Sequence, residues 1–575
     1  VNRPAPEHVI DVPALAPEVR TASAPVGIAE RLAAVAREHP HAIAAVRPCG
    51  RDRRGRARYE HYTYAQLEHE AELLARGLAE LGIERGVRAA FLVEPSLDFF
   101  ALAFAVLKLG AVPVVIDPGI GWRRFKACLA KARPSVFIGV PRAQLARVVL
   151  GWGRGSVVTS ITTGRRAVAA DVTLARLRAT GAAASRRAAT LLEPDDVAAI
   201  SFTSGSTGPP KGVVYRQRNF DALLTALQSI YDWRPGVADL PTMPLFALFG
   251  AASGVTVVSP EMDVSRPAAA DPVKIATAIE DFGVATMFGS PALLNTLSRW
   301  AEQHDAKLPS LRRVVTAGAP VSAELMRRAE RMLDEAAEIV TPYGATEALP
   351  VTQISHREVL GETAAKTDEG AGVCVGRPIA GVDLRIIGLS DEPIPFWDDE
   401  LVVPDGELGE IVVCGQQVTD SYFDDDANTA LAKIEVPGGT FFHRMGDVGY
   451  RDGDGRIWFC GRKSQRVVTA RETLFTIPCE AVFNAHPAVF RTALVGPEVD
   501  GRVTPAICVE LEPTARDADR ARLRSELCDL GSRHPHTESI GHFLFHRGFP
   551  VDIRHNAKIN REQLARWAAS RVARD

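Results

Sequence analysis

Between residues 64 and 342 helical and strand patterns take turns, and this alternation constrains the fold more than any other feature of the chain. Leu67, Ala71, Leu74, Leu78 and Leu81 follow the i, i+3, i+4 spacing of a helix with one buried face. Residues 87–93 then read as a strand, 97–109 as a helix, 112–116 as a strand, 123–131 as a helix and 136–138 as a strand. Strands that alternate with helices return to the same sheet in the same direction, so βαβ units and parallel sheet are expected. A second run of this kind covers 239–342, with strands at 255–258 and 285–288 and helices at 272–282 and 291–303. Past Gly376 the texture changes to short β segments separated by turns such as Asp452-Gly453-Asp454-Gly455. From Gln465 a tail of about 110 residues is large enough to form its own α+β unit. The expected architecture is α/β. Residues 1–463 form a large N-terminal domain of α/β subdomains plus a β-rich subdomain, and 464–575 a small mobile α+β domain.

Composition narrows the function classes. With 46% hydrophobic and 24% charged residues and a formal net charge of −3, the chain reads as an ordinary soluble protein without the positive field that nucleic acid requires. The basic run Arg51-Asp52-Arg53-Arg54-Gly55-Arg56 lies between two strand-like segments and reads as a solvated hairpin loop. The longest apolar run, 99–118, is broken by Lys108, Gly110, Pro113 and Asp117, which fits a buried helix and strand rather than a transmembrane segment. Residues 1–12 lack the continuous apolar core of a signal peptide. The eight cysteines are dispersed with no C-x-x-C pair, so neither a disulfide scaffold nor a zinc site is expected. Together these point to the cytoplasm.

The chemistry is most legible in Ser201-Phe202-Thr203-Ser204-Gly205-Ser206-Thr207-Gly208-Pro209-Pro210-Lys211-Gly212. Hydroxyls and glycines expose backbone N–H groups and small donors, Lys211 adds a mobile positive charge, and an oligophosphate fits such a loop. The spacing is not that of a Walker A motif. Apolar, β-prone residues flank the loop on both sides, so it is expected to join two strands. Elsewhere Val340-Thr341-Pro342-Tyr343-Gly344-Ala345-Thr346-Glu347 puts an aromatic ring, a hydroxyl and a carboxylate after a strand, and Met445-Gly446-Asp447 offers a second carboxylate. Taken one at a time, each of these is equally well a plain turn. Gly461-Arg462-Lys463 and Asn556-Ala557-Lys558-Ile559-Asn560-Arg561 complete the set.

In their order and separation these pieces resemble the adenylate-forming superfamily of acyl-CoA synthetases, peptide-synthetase adenylation domains and luciferases, over residues 62–561. The resemblance implies ATP as cosubstrate and Mg²⁺ as cofactor. It implies that Thr203, Ser204, Gly205, Ser206, Thr207, Gly208 and Lys211 grip the β- and γ-phosphates and that Thr346 meets the α-phosphate. Ala317, Gly318, Ala319, Tyr343 and Gly344 would form the adenine site, Asp447 and Arg462 would hold the ribose, and Glu347 would hold the metal. Lys558 matches the catalytic lysine, and Ser464 the hinge about which the C-terminal domain swings.

Two departures bear on the step after adenylation. The hinge position, commonly aspartate, is Ser464. The next loop, Val468-Thr469-Ala470-Arg471-Glu472-Thr473-Leu474-Phe475-Thr476-Ile477-Pro478-Cys479-Glu480, contains no glycine, whereas relatives that hand the acyl group to a pantetheine thiol carry a glycine there. Pro244-Leu245-Phe246-Ala247-Leu248-Phe249-Gly250 is apolar throughout, which reads either as the start of a core helix or as an acyl pocket in which Phe246 and Phe249 receive an aliphatic chain. This combination most resembles the β-lactone synthetases of bacterial long-chain olefin biosynthesis, the closer match being carried by Phe99 to Pro113, Thr341 to Pro350 and the glycine-free loop. That resemblance implies a long-chain 2-alkyl-3-hydroxy acid as substrate, whose own 3-hydroxyl expels AMP, and assembly with the pathway's α/β-hydrolase and dehydrogenase. An ordinary long-chain acyl-CoA or acyl-AMP ligase is the alternative. His443, His486 and His555 lie near the motifs and are the imidazoles to consider for deprotonating the hydroxyl.

Overall fold

A computed structural model describes residues 26–117, 120–185, 190–203, 210–551 and 559–573. Its central element is the Leu97–Lys108 helix, in which every residue from Phe99 to Leu107 is buried. A helix that is apolar all round has to be covered all round, and this one touches strands of two different sheets as well as the Ile28–Glu38 and Tyr64–Glu80 helices. Its start is fixed by Ser96, whose hydroxyl accepts the Phe99 N–H at 3.1 Å. Thr63 and Gln66 form a capping box at the start of Tyr64–Glu80, the helix that the Leu67 to Leu81 spacing predicts.

The first sheet has seven strands in the order Val172–Thr173, Thr159–Thr162, Val136–Gly139, Arg88–Leu92, Val112–Ile116, Val197–Thr203 and Lys211–Arg216. All neighbours run parallel except the last two, which pair antiparallel with Thr203 opposite Lys211. The hydroxyl-rich loop therefore connects two adjacent strands, as its flanking residues predict.

The second sheet has fourteen strands and is where the structure departs from the sequence texture. Its parallel half, built from the 239–342 run, does not stop where the short antiparallel strands begin. The Glu338–Ala345 strand pairs parallel with Arg313–Val315 on one side and antiparallel with Ala348–Ser355 on the other. That hairpin welds the β-rich part, including Val382–Ile387, Gly409–Gly415, Thr440–Arg451 and Ile457–Arg462, onto the same sheet. A change of local pattern marks a change of strand direction here, not a break between sheets.

The tail builds a three-stranded sheet of Val489–Val495, Ala506–Leu511 and His542–Phe545 against the helices Thr476–Asn484, Arg520–Gly531 and Arg561–Val572. The glycine-free run divides into a small hairpin, Val467–Val468 with Thr473–Leu474, and the start of the Thr476–Asn484 helix. Thr469 closes the hairpin tip through its N–H and hydroxyl, both donated to the Glu472 carbonyl. At the junction with the body, Gly461 has φ 124°, and a Cβ on it would stand 2.3 Å from Thr476 Oγ1. Only glycine permits both that backbone angle and that approach. Among the described residues no helix is long and apolar enough to cross a membrane.

Candidate active site

A cavity of about 2720 Å³ opens between the body and the C-terminal tail. Strand ends deliver its polar residues. Tyr343 and Gly344 come from Glu338–Ala345, Thr346 and Glu347 form the turn that follows, and Ala317, Gly318 and Ala319 follow Arg313–Val315. Asp447 comes from Thr440–Arg451, Arg462 from Ile457–Arg462 and Lys211 from the first position of Lys211–Arg216. Gly318 has φ 95°, a left-handed turn that lets the backbone of this short segment face the cavity.

The best-defined constellation joins Tyr343, Asp447 and Arg462. Asp447 and Arg462 are cross-strand partners, and the Tyr343 hydroxyl donates to Asp447 Oδ2 at 2.6 Å. Asp447 is only 2% exposed, so burial pushes its carboxyl above the ordinary range while Arg462 and Tyr343 pull the other way. Asp447 in turn holds the Arg462 guanidinium above its usual value. Arg462 Nη1 stands 3.0 Å from Asp447 Oδ1, yet it donates instead to the Met445 carbonyl at 3.2 Å. Oδ1 is thereby a buried oxygen without a hydrogen bond among the described residues, and so is Thr316 Oγ1 on the same cavity wall. Buried oxygens rarely stay without a hydrogen bond, and two of them on residues that line one cavity suit a ligand that brings hydroxyl or amine donors.

A second constellation surrounds Glu347. Its Oε1 accepts the Tyr422 hydroxyl at 2.7 Å, and its carbonyl accepts the Thr419 N–H at 2.9 Å. Lys211 Nζ lies 5.0 Å from the Tyr422 ring centre. The Tyr215 hydroxyl donates to the Thr346 carbonyl at 2.5 Å. Beneath them Lys433 donates to the Thr419 carbonyl, and burial brings its ammonium down to about 7 against the pull of Glu347 and Asp420. No group of three or more metal-ligating side chains occurs among the described residues. A single carboxylate supports a metal that draws its remaining ligands from phosphates and water, as Mg²⁺ does, and not a closed protein cage.

The tail contributes Ile559, Asn560 and Arg561 to the cavity rim. Arg561 is clamped to Glu480 by two hydrogen bonds, one of them Nη2 to Oε2 at 2.9 Å, and its Nε donates to Gln465 Oε1 at 3.2 Å. Ser464 lines the cavity inside the Lys463–Gln465 turn, and Lys463 is anchored on Glu410 at 2.9 Å, which also binds Arg444 at 2.6 Å.

Several expected positions fall elsewhere. Ser204, Gly205, Ser206, Thr207, Gly208, Lys558 and His555 lie outside the described residues, and Thr203 is described only as the strand end opposite Lys211. Phe246 lines the cavity, with its ring edge-on to Phe288 at 5.1 Å. Phe249 is fully buried, edge-on to Phe220 at 5.3 Å, and is not itself part of the cavity wall, to which Phe220 belongs. His443 lines the cavity, and burial with Lys433 and Lys211 nearby holds its imidazole well below the ordinary value. His486 instead pairs with Glu526 at 3.2 Å within the tail. Tyr215, Tyr422 and Lys433 escape the motif reading because each joins the site through a contact more than seventy residues away in sequence or through buried backbone.

The AMP-binding enzyme family matches residues 32–423. The olefin beta-lactone synthetase of Xanthomonas campestris pv. campestris is 49% identical over 94% of this chain and 97% of its own length. The protein of the same name from Stenotrophomonas maltophilia is 47% identical over 95% of this chain and 99% of its own. Among solved structures, the amide bond synthetase of Marinactinospora thermotolerans superposes with a TM-score of 0.74 at 25% identity, covering 94% of this chain and 99% of that one. The family model spans more than half of the chain and the two relatives match over nearly its full length, so the chain belongs to the AMP-binding enzyme family.

Proposed function

We propose that the chain is an AMP-forming ligase that activates a long-chain 2-alkyl-3-hydroxy acid with ATP and closes it to a β-lactone, releasing AMP and pyrophosphate. The observation that carries this reading is the match, over nearly the whole length of both chains, to two proteins named olefin beta-lactone synthetase. Asp447 Oδ1, ion-paired with Arg462 but without a hydrogen bond among the described residues, supports a ribose site, and the turn 317–319 with Tyr343 and Gly344 on the cavity wall supports an adenine site. Lys211, Thr346 and the loop from Thr203 to Gly208 would meet the phosphates, and Lys558 would stabilise the charge that builds up during transfer. Mg²⁺ on Glu347 would neutralise phosphate charge as the carboxylate approaches.

In the first step the substrate carboxylate attacks the α-phosphorus, and the bond to the pyrophosphate oxygen breaks. Fixed positive charge from Lys211, Arg462 and Lys558 offsets the repulsion between two anions. In the second step the 3-hydroxyl oxygen bonds to the acyl carbon, the acyl–phosphate C–O bond breaks, AMP leaves with the electron pair, and the hydroxyl proton is released. The nucleophile is tethered, so well-oriented attack can be worth roughly 7–11 kcal/mol of barrier. The lack of glycine in the hairpin is what favours closure without a thiol. We divide the chain at 463/464 into an adenylation domain and a C-terminal domain that turns about Ser464. A cytoplasmic setting and assembly with an α/β-hydrolase and a dehydrogenase belong to the same reading on resemblance alone.

The test incubates the protein with ATP, Mg²⁺ and a synthetic 2-alkyl-3-hydroxy acid, with and without coenzyme A, and follows products by mass. Loss of water from the acid together with AMP formation, independent of coenzyme A, is the expected result. A thioester that requires coenzyme A would replace this reading with that of an acyl-CoA ligase.

A further inference from the structure

The cavity does not end at the adenylate site. Part of its wall lies between the Leu97–Lys108 helix, through Phe99, Ala103 and Leu107, and the Gln217–Tyr231 helix, through Leu227, Ile230 and Tyr231. Phe99, Ala103 and Leu107 are spaced i, i+4, i+8 and so form one stripe on one helix face. None of the six is more than 8% exposed, and the only polar atom their side chains carry is the Tyr231 hydroxyl, so this arm is apolar. Ala103 is the one small residue in its stripe.

The two ends of the arm differ in chemistry. Tyr215, whose hydroxyl binds the Thr346 carbonyl at 2.5 Å, also lines the cavity and stands 5.5 Å from the Phe220 ring at the start of the Gln217–Tyr231 helix. One end thus opens beside the turn that holds Thr346 and Glu347. At the other end of that helix, about 16 Å away by its rise per residue, Tyr231 stacks on Trp233 at 4.6 Å. There Tyr231 lines the cavity and its hydroxyl is buried without a hydrogen bond among the described residues, while the buried Trp233 and Asp239 beside it are not part of the cavity wall. A polar end of this kind repels further methylenes. The opposite side of the cavity, at Met243, is 42% exposed and gives a second chain an open wall.

We propose that the closed arm between these two helices seats one alkyl chain of the acyl substrate, with Ala103 and Ile230 setting the length it accepts. The proposal rests on the two-chain substrate of the proposed function. It adds residues outside the 244–250 segment to the determinants of chain length.

The experiment uses the full chain and measures kcat/KM for pyrophosphate release with three acids: both chains long, only the 2-alkyl chain shortened, only the chain beyond C3 shortened. In Ala103→Phe the acid with two long chains should lose at least about 10-fold, while one of the two shortened acids is spared and KM for ATP is unchanged. Ala103→Leu should move the same way by less, and Ile230→Phe reports on the facing wall should Ala103→Phe fail to fold. Equal losses on all three acids in a folded variant, or no change on any, would overturn the proposal. Straight-chain fatty acids of graded length run in parallel. If the wild type activates only those, the β-lactone reading fails, and a shorter optimum in Ala103→Phe would still assign the arm to an alkyl chain.

Discussion

Replacing Tyr343 by Phe removes one oxygen and leaves the ring, so it isolates what the hydroxyl does for Asp447. In the wild type that hydroxyl is the hydrogen-bond donor to a carboxylate whose side chain is 3% exposed, with Oδ1 already lacking a hydrogen bond. A hydrogen bond to a charged group contributes about 1.5–3 kcal/mol. The sign of the pH dependence comes from burial. Asp447 is raised above its ordinary value of 3.8, so protonating it favours the folded state and ionising it weakens that state as pH rises through the folded value. Tyr343→Phe raises Asp447 further. The deficit of the variant should therefore be small at acid pH, where both carboxyls are protonated, and reach its full size above the folded value of the variant. Thermal unfolding of both proteins across an acid-to-neutral series measures this, with KM for ATP followed alongside at neutral pH. A midpoint and KM matching wild type at neutral pH, or a deficit that stays constant into acid, would refute the coupling of Tyr343 to Asp447.

Three further predictions test other parts of the site. Lys558→Ala should lower the rate of pyrophosphate release by about 10²–10³ while far-ultraviolet circular dichroism stays unchanged. Arg561→Ala leaves Glu480 buried without its cation, which should destabilise the tail by about 3–5 kcal/mol, and limited proteolysis should show cleavage in the tail first. Gly461→Ala meets Thr476 Oγ1 at 2.3 Å and forces alanine into φ 124°, so activity and thermal midpoint should both fall. Adding Thr476→Ala to it should restore part of the loss by removing the clash while the backbone strain remains.

Much of the fold was legible because each early element is punctuated locally. The period of Leu67 to Leu81 is closed by a capping box at Thr63, and the all-apolar 99–107 stretch has to be a helix buried on every side. The motifs were legible because their residues are contiguous: Tyr343 to Glu347 form one strand end and turn, and Asp447 and Arg462 face each other across one ladder. Phe249 and the β-rich part escape such local reading, since an apolar run does not show which face of a helix meets a cavity. Nor does a change of strand pattern show whether the sheet ends.

Residue types and local spacing pointed to an oligophosphate loop, and the order of the motifs, by resemblance, to adenylate-forming chemistry. Hydroxyls, glycines and Lys211 in one loop, and carboxylates at Glu347 and Asp447, can be read without any knowledge of the packing. Which groups meet was settled only by the packing itself. Tyr422 reaches Glu347 and Tyr215 reaches Thr346 across 75 and 131 residues. The apolar arm beside Ala103 exists only because two helices from different parts of the chain are packed between the same two sheets. Side-chain identity sets what a group can do, but burial and the partner that burial imposes set its charge, its free lone pairs and the space beside it, and those depend on residues distant in the chain.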